Sequence, residues 1–234
     1  MAKQRTVGII GGMSWESTVS YYQAINRGIN ARMGDLHSAS LLLHSVDFQP
    51  VSQWQHNNDW TSLTDHLVKI AVNLEKAGAQ GMVIATNTMH KVAPEIEAQI
   101  SVPLIHIADA TAMQCQLTGM RKVALLGTRF TMEQPFYISR LKQQGIDVIT
   151  PDVAGRQAIH DIIYQELCRG EIRDSSRQIF QQIIEQMGVD GAQAAVLGCT
   201  EIGLLIGQQD VSIPVLDTAQ IHAAAIVDFM LAES

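Results

Sequence analysis

Cysteine is scarce in this chain: three in 234 residues, Cys115, Cys168 and Cys199. An odd number at wide separation fits neither a disulfide framework nor a zinc site, so each thiol is judged singly. Runs of Lys or Arg are missing, and a formal net charge of −7 leaves no electrostatic footprint for nucleic acid or an anionic membrane. No apolar run reaches the roughly 18 residues of a membrane span. The first five residues, Met-Ala-Lys-Gln-Arg, pass into a strand pattern rather than a secretory core. The expectation is a cytoplasmic protein with no membrane and no nucleic-acid partner. His90, His106 and His222 lack the spacing of a helical metal site, and no lysine stands in a phosphate-cup context, so neither a metal nor pyridoxal phosphate is expected. Apolar residues at 47% and charged residues at 17% are ordinary for a chain that buries a core and folds without staples.

What is present is an alternation of short aliphatic runs with longer amphipathic segments. Strands are predicted at Thr6–Ile10, Ser40–Leu43, Gly81–Ala85, Leu104–Ile107, Lys122–Leu126, Asp147–Thr150, Ala194–Leu197 and Val215–Leu216. Helices are predicted at Ser17–Met33, Thr61–Ala77, Met132–Gln144, Gln157–Leu167, Asp174–Met187 and Ala219–Leu231. That order implies an α/β fold with parallel sheets covered by helices.

An internal repeat sharpens this. Thr-Val-Gly-Ile-Ile-Gly from residue 6 matches Lys-Val-Ala-Leu-Leu-Gly from 122, an offset of 116. Ile-Ala-Thr-Asn-Thr from 84 matches Leu-Gly-Cys-Thr-Glu from 197, an offset of 113. Val-Pro-Leu-Ile from 102 matches Ile-Pro-Val-Leu from 213, an offset of 111. Three similar offsets in one order predict two pseudo-symmetric lobes, each a mainly parallel sheet flanked by helices. The expected division is residues 1–117, joined by the C-terminal helix 217–234, against 118–216. Ligands of open α/β sheets bind at the carboxyl ends of strands, so equivalent strand ends are expected on opposite sides of one cleft.

Three strand ends carry polar residues. Gly8-Ile-Ile-Gly11-Gly12-Met13-Ser14 ends a strand and opens a helix, reading either as a tight turn or as an anion site. It is neither a dinucleotide fingerprint nor a Walker loop. Thr86-Asn87-Thr88 reads either as helix capping or as a ring of hydroxyl, amide and N–H groups around a carboxylate. Gly198-Cys199-Thr200-Glu201 holds the repeat-equivalent place, where a thiol ahead of a helix is expected to have a lowered pKa and thiolate character. Cys115 and Cys168, inside amphipathic patterns, read as inert core residues.

Gly11-Gly12-Met13-Ser14-Trp15-Glu16, Thr86-Asn87-Thr88-Met89-His90, Gly127-Thr128 and Gly198-Cys199-Thr200-Glu201-Ile202 together resemble the aspartate/glutamate racemase family across essentially the whole chain. The resemblance implies an active site between two lobes, a homodimer, no cofactor and a small-molecule amino-acid substrate. It also implies two-base chemistry, one cysteine thiolate removing the α-proton and an opposed thiol returning one. The family's first cysteine stands just before Asn-Thr, where this chain has Thr86, and a hydroxyl is a far weaker base than a thiolate. Carried over, the catalytic pair is Cys199, working on the L face, and Thr86, facing the D side. Substrate-binding roles fall to Met13, Asn87, Thr88 and Thr200, with Thr88 and Thr200 taken as equivalent, and then to Thr128 and Thr131. Gln55 and Ala158 lie near positions where relatives hold a side-chain carboxylate with basic residues, leaving Arg156 and His160 as substitutes.

The resulting expectation is a racemase of L-glutamate or L-aspartate that favours the L-enantiomer. A one-cysteine decarboxylase of the same superfamily and a non-catalytic amino-acid-binding protein are the alternatives.

Overall fold

The computed structural model describes residues 4–232. The chain divides into two compact units: residues up to His106 together with those from His222 onward, and Ile107–Ile221.

The first unit is built on a parallel three-stranded sheet, β1 (Val7–Gly11), β2 (Leu41–Ser45) and β3 (Gly81–Ile84), in the order β2-β1-β3. β1 and β3 are buried throughout and β2 is the exposed edge. Continuous apolar runs in the first two follow from burial on both faces of a parallel sheet. Helix α1 (Trp15–Met33) starts where Ser14 accepts from the Ser17 N–H and ends at Gly34, whose positive φ suits glycine. Helix α3 (Trp60–Lys76) turns Leu63, Leu67, Ile70, Ala71 and Leu74 inward. That stripe has the spacing of one helical face, each large side chain contributing roughly 1.5–3 kcal/mol of burial. Helix α2 (Phe48–His56) lies between them. No element is predicted from the sequence over this stretch; its Pro50 stands in the first turn, where a missing N–H costs nothing. A 3₁₀ turn (Thr88–Val92) and helix α4 (Ala93–Glu97) follow β3.

The second unit holds a parallel four-stranded sheet in the order β5-β4-β6-β7, with β4 (Lys122–Gly127), β5 (Asp147–Ile149), β6 (Ala195–Gly198) and β7 (Val215–Asp217). Helix α5 (Ile107–Leu117) packs Ile107, Ala108, Ala112 and Cys115 with Val123 and Leu125 of β4. The single helix expected at 132–144 is two, α6 (Arg129–Glu133) and α7 (Pro135–Gln143). Gln134 between them is extended, the conformation that a following proline imposes. Helices α8 (Val153–Gln165) and α9 (Asp174–Val189) cover the sheet, and α10 (Thr218–Leu231) closes the chain.

The strand expected at Leu104–Ile107 is a correction: only a single parallel bridge forms, Met82 to Leu104, and α5 starts at Ile107. That bridge nevertheless reveals the repeat. Met82 N–H donates to the Pro103 carbonyl at 2.8 Å, and Ala195 N–H donates to the Pro214 carbonyl at 2.8 Å. Gln80 N–H reaches the Thr6 carbonyl and Gln193 N–H the Lys122 carbonyl, each at 2.8 Å. The same two glutamines return their side-chain oxygens to the Thr6 and Lys122 N–H groups, each at 3.0 Å. The two sheets therefore share strand order and register, the first unit's fourth strand being reduced to the bridge.

Candidate active site

Strand register fixes which residues are equivalent. Ile10 pairs with Ile84 in one sheet and Leu126 with Leu197 in the other. Stepping forward, Thr86 matches Cys199, Asn87 matches Thr200 and Thr88 matches Glu201. The expectation that Thr88 and Thr200 are equivalent was off by one residue.

In the first unit the carboxyl ends of adjacent strands bring Met13, Thr86, Asn87 and Thr88 onto one edge, all of them buried. The glycine turn before Met13 is tight. Gly12 has a φ of +88°, and a Cβ there would lie 2.4 Å from the Val46 carbonyl oxygen, so glycine is required by both conformation and space. Its N–H is taken by the Thr18 hydroxyl at 2.7 Å. Gln55, on α2, is buried as well. Lys91 lies with its ammonium 3.6 Å from the centre of the Trp60 ring, a cation–π contact.

In the second unit Gly127 and Gly198 are paired neighbours on β4 and β6, so Thr128 and Cys199 leave the sheet side by side. Thr128 caps α6, its hydroxyl lying 3.3 Å from that of Thr131. Cys199 is 8% exposed and its thiol donates to Glu201 Oε2 at 2.9 Å. The Thr200 hydroxyl donates to the same oxygen, also at 2.9 Å.

The lowered pKa expected for Cys199 is a correction. Burial pushes the thiol well above its ordinary value, and the Glu201 charge adds to this, although the Glu201 backbone N–H pulls the other way. The element after the cysteine is only a three-residue 3₁₀ turn, Ile202–Leu204, too short for an appreciable dipole. Desolvation therefore wins over helix-end stabilisation.

Arg156, expected as a holder of a side-chain carboxylate, is already engaged. Its Nε reaches Glu133 at 3.0 Å and its Nη1 the Pro151 carbonyl at 2.7 Å. His160 accepts the Arg129 N–H on Nδ1 at 3.3 Å. Cys115 is fully buried and its pKa is pushed up to about 11 by desolvation. Cys168 lies half-buried in a 3₁₀ turn after α8, against the core cluster that includes Cys199.

Two features escaped sequence reasoning. One is the Glu201 carboxylate, visible in principle as the only acidic residue in the repeated strand-end motif. The other is a cluster of the three histidines that looked scattered. His90 Nδ1 donates to the Thr86 carbonyl at 2.8 Å. Its ring lies 4.3 Å from that of His106 and 5.9 Å from that of His222, measured between centroids. The cluster underlies the Thr86 turn from within the first unit.

The sequence profile of the Asp/Glu/hydantoin racemase family matches residues 10–226. A broad specificity amino-acid racemase of Bacillus subtilis (strain 168) is 24% identical over 97% of this chain and 98% of its own. Among solved structures, a Yersinia pestis protein described as an Asp/Glu racemase candidate is 50% identical, with a TM-score of 0.91 over 97% of this chain and 100% of that one. An aspartate racemase homologue from Pyrococcus horikoshii OT3 is 33% identical, with a TM-score of 0.82 over 98% and 99% of the two chains.

Proposed function

This chain belongs to the Asp/Glu/hydantoin racemase family and is an amino-acid racemase of that kind, and we propose that it acts on L-aspartate or L-glutamate with Cys199 as the base and Thr86 as the proton donor on the opposite face. The observation that carries this reading is the register equivalence of Thr86 and Cys199 at the carboxyl ends of homologous buried strands. A thiol at one of the two positions and a hydroxyl at the other make the chemistry one-sided. The L-enantiomer loses its proton to sulfur, whereas the D-enantiomer would have to start from a threonine hydroxyl, a far weaker base. Met13, Asn87, Thr88, Thr128, Thr131 and Thr200 are the groups assigned to hold the substrate. The Asn87 amide and the hydroxyls of Thr88, Thr128 and Thr131 suit an α-carboxylate, whereas the Thr200 hydroxyl already donates to Glu201, so the assignment of Thr200 rests on its main-chain N–H. Proton transfer rests on side chains alone, without an organic cofactor, and the active form is taken to be a cytoplasmic homodimer.

A second reading concerns the side chain of the substrate. Gln55 is neutral, and the Arg156 charge is shared with Glu133, so a neutral or broad range of amino acids fits these positions too. The description of the Bacillus subtilis relative as broad in specificity points the same way. A panel of L- and D-amino acids in deuterated water, followed by proton NMR at the α-carbon, separates the readings. Exchange from L-aspartate and L-glutamate well ahead of neutral amino acids, and ahead of the D-enantiomers, supports the acidic L-directed enzyme. Equal rates across the panel give the broad enzyme. Release of carbon dioxide from a malonate-type acid, or tight binding with no exchange at all, overturns the racemase.

A further inference from the structure

A base that removes an α-proton has to give up its own proton first. Cys199 does not meet this condition unaided, because its thiol is buried and already hydrogen-bonded as a donor. Held above the ordinary thiol range, it offers little thiolate at neutral pH. The atom that receives its hydrogen bond is Glu201 Oε2, on a carboxylate only 2% exposed. Burying such a group is costly unless hydrogen bonds compensate. The fold does not demand a carboxylate there, since the register-equivalent residue in the first unit is Thr88.

We propose that Glu201 is the proton acceptor that allows Cys199 to act as a base: as Sγ takes the α-proton of the L-substrate, the thiol's own proton passes to Glu201 Oε2. The inference rests on the racemase reading above and adds a residue to it. The Cα–H bond breaks and its electron pair stays with the substrate. A new S–H bond forms with the electron pair left when the original S–H bond breaks, and an O–H bond forms on Oε2. Negative charge thus moves from Glu201 to the substrate, and sulfur is neutral before and after. The Thr200 hydroxyl holds Oε2 in position at 2.9 Å, while the Glu201 backbone N–H favours the negative charge that passes through sulfur. Glu201 works through Cys199 and is a positioning residue in that sense.

The test is Glu201→Gln, which keeps the side-chain length and an oxygen acceptor but cannot take the proton. Two quantities are read: α-proton exchange from L-aspartate and L-glutamate in deuterated water, and the pH dependence of Cys199 alkylation by iodoacetamide, located by peptide mapping. Exchange should fall by about 10²-fold or more, the usual loss for a general base. Alkylation should move to lower pH, because the neighbouring negative charge is gone. Loss of turnover together with a more reactive thiol is a combination that local disorder of the loop does not predict for an enzyme whose thiolate is the sole base. Glu201→Asp, which keeps the charge one methylene short, should recover part of the exchange and retain the alkaline alkylation profile, and it serves if the glutamine variant does not fold. Exchange within tenfold of the natural protein in Glu201→Gln, or an alkylation profile moved to higher pH, overturns the inference. Cys199→Ser is measured beside it. If that variant keeps its exchange, the racemase reading itself fails; if only Glu201→Gln keeps it, the relay alone fails.

Discussion

His222 gives the fold of the first unit a pH dependence that can be worked out from its bonds. Its ring is fully buried, with Nε2 donating to the Ile105 carbonyl at 2.7 Å and Nδ1 accepting from the Tyr21 hydroxyl at 2.9 Å. A carbonyl only accepts, so Nε2 carries a hydrogen, and burial keeps the ring neutral, which leaves Nδ1 as the acceptor. Burial holds the pKa at about 4, with the Ile105 hydrogen bond opposing. The other titratable rings against it are Tyr21, at 5.6 Å between centroids, and His90, at 5.9 Å. Neither is a carboxylate that would favour the cation.

The unfolded chain takes this proton near pH 6.5 and the folded chain near pH 4, so between those values the unfolded state binds more protons. The stability is complete above about pH 6.5 and drains as the pH falls toward 4. Integrated over the window, the loss is about 2 kcal/mol between pH 7.5 and 5, reaching about 3 kcal/mol by pH 4. Urea unfolding followed by tryptophan fluorescence reads the correct unit, because Trp15, Trp54 and Trp60 all lie in it. The comparison is with His222→Gln, whose amide can donate to Ile105 and accept from Tyr21 but does not titrate. The natural protein should lose the extra increment on acidification and the variant should not. Parallel curves would refute the argument, since every other titrating group is common to both proteins.

Three further outcomes are expected from the geometry. Cys199→Ser should reduce α-proton exchange by about 10²-fold or more, while Cys115→Ala and Cys168→Ala should keep most of it, which NMR in deuterated water measures directly. Gly127→Ala would set a Cβ 2.7 Å from the Gly198 carbonyl oxygen and should cost roughly 1–3 kcal/mol in denaturant midpoints. Thr86→Cys should raise exchange from the D-enantiomer, seen by starting each assay from one pure enantiomer.

Much of the fold was legible because parallel sheets buried on both faces write themselves as unbroken aliphatic runs. β1, β3, β4 and β6 are such runs, and the matching glycines and prolines exposed the repeat. The first-unit counterpart of β7 was read as a strand from its short aliphatic run, but pairing stops at Leu104, where α5 follows almost at once. Cys199 could be picked out among three thiols by its place at a repeated strand end. Its protonation could not, because sequence shows the nearby helix signal and hides desolvation by the core. The histidine cluster was equally hidden: His90 follows β3, His106 precedes α5, and His222 returns on the last helix, so only the packing of the first unit unites them. Glu201 was missed because Thr88 was paired with Thr200, although the offset of 113 between the two strand-end motifs already sets Thr88 opposite Glu201, as strand register does.

That register also limits what one substitution can restore. The two units keep their backbone bonds in common, down to the paired glutamines at 80 and 193 and the prolines at 103 and 214, while the strand-end side chains have diverged as a set. Where the second unit has Cys199 beside Glu201, the first has Thr86 beside Thr88. Where the second has Gly203, whose added Cβ would lie 2.4 Å from the Asp217 carboxylate, the first has His90 holding the Thr86 carbonyl. If Cys199 depends on the Glu201 carboxylate, a cysteine at 86 gains sulfur without a matching acceptor. Thr86→Cys should therefore speed exchange from the D-enantiomer yet leave it slower than exchange from the L-enantiomer. Equal initial rates from the two enantiomers in that variant would show that a thiol needs no carboxylate at this position of the fold, and that Glu201 has been given too large a part in the second unit.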